Sequence, residues 1–145
     1  MLRVLSPTDL LALVILDQAC FELPWSREQI EEELLHPRAL AFGYFQGEHL
    51  SGALLARWID AELWIFRIMV HPKSQRQGMA HQLLSCLPDE PVWLEVRAGN
   101  QPAIGFYEKE GFKRVAVRAG YYPPLLAGQT FEDALLMCKG TKVLT

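Results

Sequence analysis

The feature that most constrains this chain is a six-residue segment between a strand-like run and a helix-like run. The segment is Gln75-Arg76-Gln77-Gly78-Met79-Ala80, with an apolar run over 63–70 and His71-Pro72 before it and the run 81–87 after it. Glycine lets a ligand approach the backbone closely because it has no Cβ. The first N–H groups of a helix have no partner within the helix and carry the positive end of its dipole. The pattern therefore predicts a strand-loop-helix turn that binds an anion, most often a phosphate.

Two other kinds of phosphate loop do not fit these residues, and an ordinary turn remains an alternative. A nucleoside-triphosphate P-loop needs Gly-Lys-Ser/Thr, and a dinucleotide site needs G-x-G-x-x-G. The segment contains neither pattern, although Arg76 adds a fixed positive charge. A strand-to-helix turn with one structural glycine is compatible with the same residues.

Length and composition limit the classes of protein to which the chain can belong. With 145 residues, half of them hydrophobic, we expect one domain over 1–140 and a polar tail over 141–145. The net charge of −3 and the lack of a long basic run disfavour a nucleic-acid partner. The cysteines Cys20, Cys86 and Cys138 are odd in number and far apart. This spacing is typical of reduced thiols in a cytoplasmic protein rather than of a disulfide framework or a zinc site.

The N-terminal region predicts a helix and not a membrane anchor. The apolar run 10–16 is too short to cross a bilayer. Ser6-Pro7-Thr8-Asp9 precedes it, and serine at the N-cap, proline at the first helical position and aspartate at the third start a helix. We therefore expect no export signal and no membrane partner, and either a monomer or a weak homodimer.

The order of the predicted elements indicates a mixed α/β fold. The predicted strands cover 2–5, 39–45, 50–58, the run to 70, 92–96, 112–121 and 133–139, and the helices cover 7–20, 26–36, 81–87 and 103–110. The first helix is apolar nearly all round, which predicts deep burial. This order predicts a mostly antiparallel central sheet of about seven strands flanked by about four helices. A right-handed crossover between 65 and 96 would place the 75–80 loop at the carboxyl end of a strand, where ligands bind.

Three polar residues in the second half of the chain are candidates for chemistry. Glu95 lies in an apolar strand, where an unpaired charge is costly. An exposed edge strand, or a pair with Arg97 or Arg67, would explain it structurally. Asn100 can cap the next helix, and Tyr107 lies within that helix, where a core aromatic is the alternative interpretation.

Several stretches of the chain resemble the GNAT family of N-acetyltransferases. Gln75-x-x-Gly78-x-Ala80 is similar to the family's Q/R-x-x-G-x-G/A motif, whose amides hold the pyrophosphate of acetyl-coenzyme A. The stretch 93–112, Leu23-Pro24-Trp25-Ser26 and Tyr121-Tyr122-Pro123 resemble motifs of the group that acetylates the N-terminal alanine of a small-subunit ribosomal protein. The matches span 2–140 in the right order.

The chain departs from this pattern at two places. The segment 84–91 is shorter than the helix usual there, and it is remote from the expected chemistry. The loop 124–128 is more apolar than usual and touches the expected acceptor site, so the identity of the acceptor stays open.

The resemblance implies roles for the residues at matching positions. Glu95 is expected to act as general base toward the amine, directly or through water, and Tyr107 as general acid toward the coenzyme A sulfur. The residues expected to bind acetyl-coenzyme A are Ile68, Met69, Val70, Gln75, Arg76, Gln77, Gly78, Met79, Ala80, His81, Asn100 and Tyr107. Those expected to line the acceptor slot, unless they are plain core or turn aromatics, are Trp25, Tyr121 and Tyr122. No metal and no covalent enzyme intermediate is needed, so Cys86 is not expected to be a nucleophile.

The basicity of amines favours one class of acceptor. An α-amino group has a pKa of about 7.7–8.0 and a lysine about 10.4, so lysine is roughly 3.5 kcal/mol harder to deprotonate near neutral pH. A carboxylate base therefore suits a protein N-terminus better than a lysine. A small-molecule amine and a lysine side chain remain alternatives. A non-catalytic acyl-coenzyme A binding module is a third, against which the presence of both Glu95 and Tyr107 argues.

Overall fold

The fold consists of seven strands and four helices within residues 1–124 and 126–140, which a computed structural model describes. In chain order the elements are β1 (Leu2–Val4), α1 (Leu10–Cys20), α2 (Arg27–Leu35), β2 (Ala39–Gln46), β3 (His49–Ile59), β4 (Glu62–Val70), α3 (Met79–Ser85), β5 (Val92–Arg97), α4 (Gln101–Lys109), β6 (Lys113–Tyr122) and β7 (Glu132–Lys139). The predicted 141–145 tail lies outside the described residues, and so does Leu125 of the 124–128 loop.

The strands form one sheet in the order β1-β2-β3-β4-β5-β7-β6. The pairs β1–β2, β2–β3, β5–β7 and β6–β7 are antiparallel. This confirms the predicted mixed α/β fold with a mostly antiparallel sheet of seven strands and four helices. The element order is also as predicted, because each element has its own hydrophobic pattern and its own turn residues.

Local capping signals set the helix boundaries. Ser26 Oγ accepts a hydrogen bond from the Gln29 N–H at 3.1 Å, and Gln29 Oε1 accepts one from the Ser26 N–H at 2.8 Å. This reciprocal pair satisfies two donors at the start of α2. At the other end, Pro37 follows the cap residue His36 and the helix stops. The pair is a capping box, and it starts the helix predicted over 26–36.

The first helix differs from its prediction in two respects. Its N-terminal residues form a turn of 3-10 helix, Pro7–Asp9, before α1 begins at Leu10. The expectation that the helix is buried nearly all round is wrong for one face, since Leu11 is 63% and Ile15 57% exposed. These two residues are four apart and share a face. Leu10, Leu13 and Leu16 lie in the core. The burial of α1 is therefore one-sided, although its composition is apolar nearly all round.

Contacts divide the chain into two compact units, of which the first is Met1–Ala61 with Ile65–Pro88. Its core joins α1 and α2 to β2 and β3. Gly52 lets α3 lie close to β3, because a Cβ at that position would lie 3.2 Å from Leu83 Cδ1 and 3.4 Å from Met79 Sδ. This close approach fixes the helix that follows the 75–80 loop.

The second unit contains Glu62–Trp64 and the chain from Asp89 onward. It is built on the antiparallel β5–β7 and β6–β7 pairs, with α4 connecting β5 to β6. The rings of Trp64 and Trp93 stack at 5.9 Å between centroids. In the described part of the chain, no helix has the length and apolar character needed to cross a membrane.

Candidate active-site residues

The end of β4 leads into a turn that His71 organises. The His71 N–H donates to the Ser51 carbonyl at 2.8 Å and continues the contact between β3 and β4. His71 Nδ1 accepts from the Lys73 N–H at 3.1 Å, and the His71 carbonyl accepts from the Ser74 N–H at 2.8 Å. These bonds form a turn of 3-10 helix, Pro72–Ser74, that the sequence indicated only as the end of a strand.

The next residues bring the backbone into the left-handed region twice. Arg76 has φ of +65° and Gly78 has φ of +75°. A positive φ favours glycine, and an arginine there is uncommon. Gly78 is the N-cap of α3, and its carbonyl accepts from the Gln82 N–H at 3.1 Å. The predicted strand-loop-helix turn is present, with Arg76 and Gly78 exposed on it.

The side chain of Gln46 connects this loop to the hairpin of β2 and β3. Gln46 Oε1 accepts from Ser51 Oγ at 2.7 Å and from Ser74 Oγ at 3.1 Å, and both serines are buried. Gln46 Nε2 donates to Gln77 Oε1 at 3.4 Å. The residues next to Gln46 give no sign of this role, since its partners are up to 31 residues away.

The carbonyl of Val70, the last residue of β4, accepts two hydrogen bonds. Gln75 Nε2 donates to it at 3.4 Å, and Cys20 Sγ donates at 3.4 Å. Burial raises the pKa of Cys20 to about 11, and the nearby Asp17 carboxylate adds to the increase. Burial also raises the pKa of Cys86. Both thiols are therefore protonated near neutral pH, which makes each a poor nucleophile.

A buried ion pair holds the segment that contains Trp25. Asp17 is fully buried, and Arg67 contacts it through Nε at 3.0 Å and Nη2 at 3.3 Å. Asp17 Oδ2 also accepts from the Trp25 N–H at 2.8 Å. The Arg67 guanidinium carbon lies 3.7 Å from the Phe21 ring centroid and 4.5 Å from the Trp25 ring centroid. Trp25 is half-buried in this arrangement, so its ring has a packing role whatever else it contacts.

Glu95 on β5 has two carboxylate oxygens in different surroundings. Its side chain is 16% exposed, and Oε1 lies 3.3 Å from Nη1 of Arg118 on β6. Oε2 is buried and has no hydrogen-bond partner among the residues that the structure describes. The ion pair is thus with Arg118, and not with Arg97 or Arg67 as the sequence allowed. A buried, unpaired carboxylate oxygen is costly, which is typical of an atom kept for function.

Two tyrosines of this unit, Tyr107 and Tyr122, have raised pKa values. The Tyr107 ring on α4 is buried and packs edge-on against Phe106 and Phe112, at 5.4 and 5.5 Å between centroids. Burial raises the pKa of Tyr107, and Tyr122 adds to the increase. Burial raises the pKa of Tyr122 to about 12, with the Glu95 carboxylate as the next cause. Glu95, Tyr122 and Tyr107 therefore belong to one electrostatic cluster in which both phenols keep their protons.

Hydrogen bonds around Arg97 fix the backbone that carries Tyr122. Arg97 Nη1 donates to Glu132 Oε1 and to the Pro123 carbonyl, both at 3.3 Å, and the guanidinium carbon lies 4.4 Å from the Tyr122 ring centroid. Glu132 Oε2 accepts from the Gly99 N–H at 2.7 Å. A Cβ at Gly99 would lie 2.6 Å from that same oxygen, so a larger residue there would displace the Glu132 carboxylate from this hydrogen bond.

Tyr121 and Asn100 lie at the surface of this unit. The Tyr121 ring is exposed, 5.0 Å from the Tyr122 centroid and 5.3 Å from the Arg118 guanidinium carbon. Tyr121 is therefore not a core aromatic. Asn100 Oδ1 accepts from the Ala103 N–H at 3.3 Å, which confirms it as the cap of α4. A role for Asn100 in binding a cofactor stays a prediction.

The residues that sequence reasoning missed are those that hold the candidate residues in place. They are Asp17, Gln46, Arg118 and Glu132. Each acts through partners that are distant in the chain, by up to 50 residues for Asp17. The only local signal was the presence of a charged residue within an apolar run, as in α1.

Comparisons with known proteins place this arrangement in a family. Residues 10–112 match the model of the acetyltransferase (GNAT) family. The chain is 34% identical over 140 residues to the ribosomal protein bS18-alanine N-acetyltransferase of Escherichia coli K12, covering 92% of each chain. It is 34% identical over 107 residues to the N-alpha-acetyltransferase RimI of Mycobacterium tuberculosis, covering 68% of each.

The fold comparison agrees with the sequence comparison. The crystal structure of the ribosomal-protein-S18-alanine N-acetyltransferase from Escherichia coli superposes with a TM-score of 0.86 and 33% identity, over 96% of this chain and 92% of that one. The family match covers well over half of the chain, and the similarity to both curated relatives exceeds 30% identity. The chain belongs to the acetyltransferase (GNAT) family and is an N-acetyltransferase.

Proposed function

We propose that this enzyme transfers the acetyl group of acetyl-coenzyme A to the α-amine of a protein N-terminus, and that the acceptor is the N-terminal alanine of a small-subunit ribosomal protein. The observation that carries the proposal is the buried Oε2 of Glu95, which has no partner among the described residues. Such an oxygen can accept a proton from an amine or from an intervening water. The names of the curated relatives support the choice of acceptor.

Two residues divide the acid-base work. Glu95 removes the proton that the acceptor nitrogen loses when it attacks the thioester carbonyl. Tyr107 gives its phenolic proton to the leaving sulfur of coenzyme A. The Tyr107 phenol carries a proton near neutral pH, which a general acid must have before it can donate, while the raised pKa makes it a weaker acid than an ordinary tyrosine. Tyr107 must regain its proton from solvent after each turnover.

The cofactor is bound, on this proposal, by the end of β4 and by the loop that follows. The Q/R-x-x-G-x-G/A pattern at Gln75, Gly78 and Ala80 supports binding of the pyrophosphate, and the exposed Arg76 supplies positive charge. The space beside Gly78 is open to a ligand, since a Cβ built on it would meet nothing within 4 Å beyond the adjoining backbone and its chain neighbours. The backbone of Ile68–Val70 would receive the pantetheine arm, with Met79, His81 and Asn100 completing the set.

Trp25, Tyr121 and Tyr122 are proposed to contact the acceptor. The exposure of Tyr121 supports this role, and so does the raised pKa of Tyr122, which keeps that phenol available as a hydrogen-bond donor. We propose that the enzyme acts in the cytoplasm, where acetyl-coenzyme A and nascent ribosomal proteins are present together.

The test uses a short peptide that begins Ala-Arg and contains one internal lysine. The wild type is expected to acetylate its α-amine, as located by tandem mass spectrometry. Glu95→Gln and Tyr107→Phe are each expected to lower kcat by about 100-fold, the scale of general acid-base catalysis. Both variants should bind acetyl-coenzyme A as the wild type does, measured by calorimetry.

Three results would contradict parts of this proposal. Acetylation of the lysine alone would reject the N-terminal acceptor. Wild-type turnover in Glu95→Gln would reject Glu95 as the base. Loss of cofactor binding together with activity in both variants would mean that Glu95 and Tyr107 are structural.

A further inference from the structure

The ion pair between Arg118 and Glu95 makes the two oxygens of the candidate base unequal. Oε1 lies 3.3 Å from Arg118 Nη1, whereas Oε2 is buried without a described partner. We propose that Arg118 is a positioning residue for acetyl transfer: by holding Oε1, it leaves Oε2 as the oxygen that receives the acceptor's proton. This inference rests on the proposed role of Glu95 as base.

The Glu95 carboxylate needs a contact that fixes its orientation, because it can rotate about the last bond of its side chain. The terminal torsion of glutamate is broad and roughly two-fold, so an unheld carboxylate can exchange its oxygens or tilt away from the acceptor. A guanidinium beside one oxygen favours one orientation of the carboxylate, since the opposite charges attract at 3.3 Å and are only partly exposed to solvent. General base catalysis depends on such geometry, because the base must lie within hydrogen-bond reach of the proton.

Arg118 is itself held, although 52% of its side chain is exposed. Its guanidinium carbon lies 5.3 Å from the ring centroid of Tyr121, within the range of a cation–π interaction. An ion pair between two fully exposed residues contributes little to the stability of a protein. Here the carboxylate is largely buried, so the same contact orients a group that solvent does not reach freely.

No other described cation is seen to take this role. Arg97 lies two residues from Glu95 on the same strand and shares its face. However, Arg97 Nη1 already donates to Glu132 and to the Pro123 carbonyl. On β6, Tyr122 is a neutral phenol at neutral pH. Arg118 is therefore the residue on which the orientation of Glu95 depends.

The strand that carries Arg118 also provides a matched control. Arg114 on β6 forms an ion pair of the same length, 3.3 Å, with Glu108 Oε1, and both partners are about half-exposed. The experiment compares Arg118→Met, Arg118→Lys and Arg114→Met in steady-state assays with acetyl-coenzyme A and the Ala-Arg peptide. Arg118→Met is expected to lower kcat about tenfold with the KM for acetyl-coenzyme A unchanged. Arg118→Lys should keep most of the wild-type kcat, and Arg114→Met should keep all of it.

Chemical rescue separates positioning from a merely structural role. Added guanidinium ion, at concentrations that leave the wild type active, should restore part of the lost kcat of Arg118→Met. It should not change Arg114→Met or Glu95→Gln. A wild-type kcat in Arg118→Met would overturn the inference, as would a loss that neither lysine nor guanidinium restores. In either case a large loss in Glu95→Gln would leave the proposed function standing, and its absence would show that the base assignment itself is wrong.

Discussion

Single carboxylates in this chain owe their properties to particular arginines. Arg3 donates through Nη1 and Nη2 to the two oxygens of Asp9, each at 2.9 Å, and the Ser6 N–H donates to Asp9 Oδ2 at 2.8 Å. The hydrogen bonds from Arg3 are the main cause that lowers the pKa of Asp9 to about 2. These contacts fix β1 to the turn that starts α1. They have a pH dependence that can be measured.

We predict that Asp9→Asn loses stability only where the carboxylate of the wild type is ionised in the folded state. The pKa of Asp9 is lowered on folding, so its stabilisation is present above an unfolded pKa of about 3.9 and disappears as the pH falls toward 2. We expect a loss of about 1–2 kcal/mol at pH 7, after allowance for solvent around the exposed Arg3. The side-chain oxygen of asparagine can still accept the hydrogen bond from the Ser6 N–H. The loss of unfolding free energy therefore measures the contribution of the negative charge of Asp9.

Urea unfolding at pH 7, 5, 4 and 3 measures this effect. The difference in unfolding free energy between the wild type and Asp9→Asn should stay constant from pH 7 to 5 and shrink below pH 4. Asp89→Asn, at an exposed aspartate, serves as the control and should show no such difference. A difference that is the same at pH 3 as at pH 7 would refute the role of the Arg3 charge.

At the scale of elements, the 75–80 loop depends on the last residue of β2. Gln46 Oε1 accepts from two buried hydroxyls, and the planar amide then directs Nε2 toward Gln77. The hairpin therefore orients a segment that follows β4. If that loop binds the pyrophosphate as proposed, a substitution at Gln46 should weaken the binding of acetyl-coenzyme A and leave the rate of acetyl transfer unchanged.

We predict that Gln46→Met raises the KM for acetyl-coenzyme A about three- to tenfold, the effect of losing one or two net hydrogen bonds. The kcat should not change. S-acetylpantetheine has no pyrophosphate, so its kcat/KM should be the same in the variant and the wild type. In a double-mutant cycle, the variant with both Gln46→Met and Gln77→Met should lose less binding free energy for acetyl-coenzyme A than the two single variants lose in sum. The reason is that the two side chains contact each other.

Gln18→Met, at an exposed glutamine of α1, is the matched control and should bind both donors normally. Equal losses with both donors would show that Gln46 supports the fold generally and not the loop. Full additivity of Gln46→Met and Gln77→Met would show that their contact does not transmit the effect.

The sequence predicted local features well and long-range side-chain contacts poorly. The capping box of Ser26 and the strand-loop-helix turn at Gly78 depend on residues within a few positions, so the pattern alone identifies them. The pairs Asp17–Arg67 and Glu95–Arg118 join residues 50 and 23 positions apart, and several arginines compete for each carboxylate. Only the packing of the strands selects among them. The exposed face of α1 was missed for the same reason, since composition does not show which side of a helix a sheet covers.

At the scale of the whole chain, the family fixes the fold and the reaction, while a few side chains fix the acceptor. A fold hosts many substrates, so the acceptor must be argued from the chemistry of the site. Glu95 lies beside the cation Arg118 and interacts electrostatically with the protonated phenol of Tyr122. A cation beside the base disfavours the approach of an amine that is still protonated, as a lysine almost entirely is near pH 7. An α-amine, which is partly neutral near pH 7, avoids that repulsion.

This reasoning predicts a pH-dependent preference between two acceptors. The first is the Ala-Arg peptide with its lysine acetylated in advance, and the second is the same peptide with only its α-amine blocked. With pKa values of about 7.8 and 10.4, the neutral fraction of the α-amine exceeds that of lysine about 300-fold at pH 7 and about 25-fold at pH 9. The ratio of kcat/KM for the two peptides should therefore be large at pH 7 and fall about tenfold by pH 9. Rates are measured by release of free coenzyme A, with uncatalysed acetylation subtracted at each pH.

A preference for the lysine peptide at pH 7 would overturn the assignment of an N-terminal acceptor. A ratio that does not change with pH would mean that shape, and not the neutral amine fraction, separates the two.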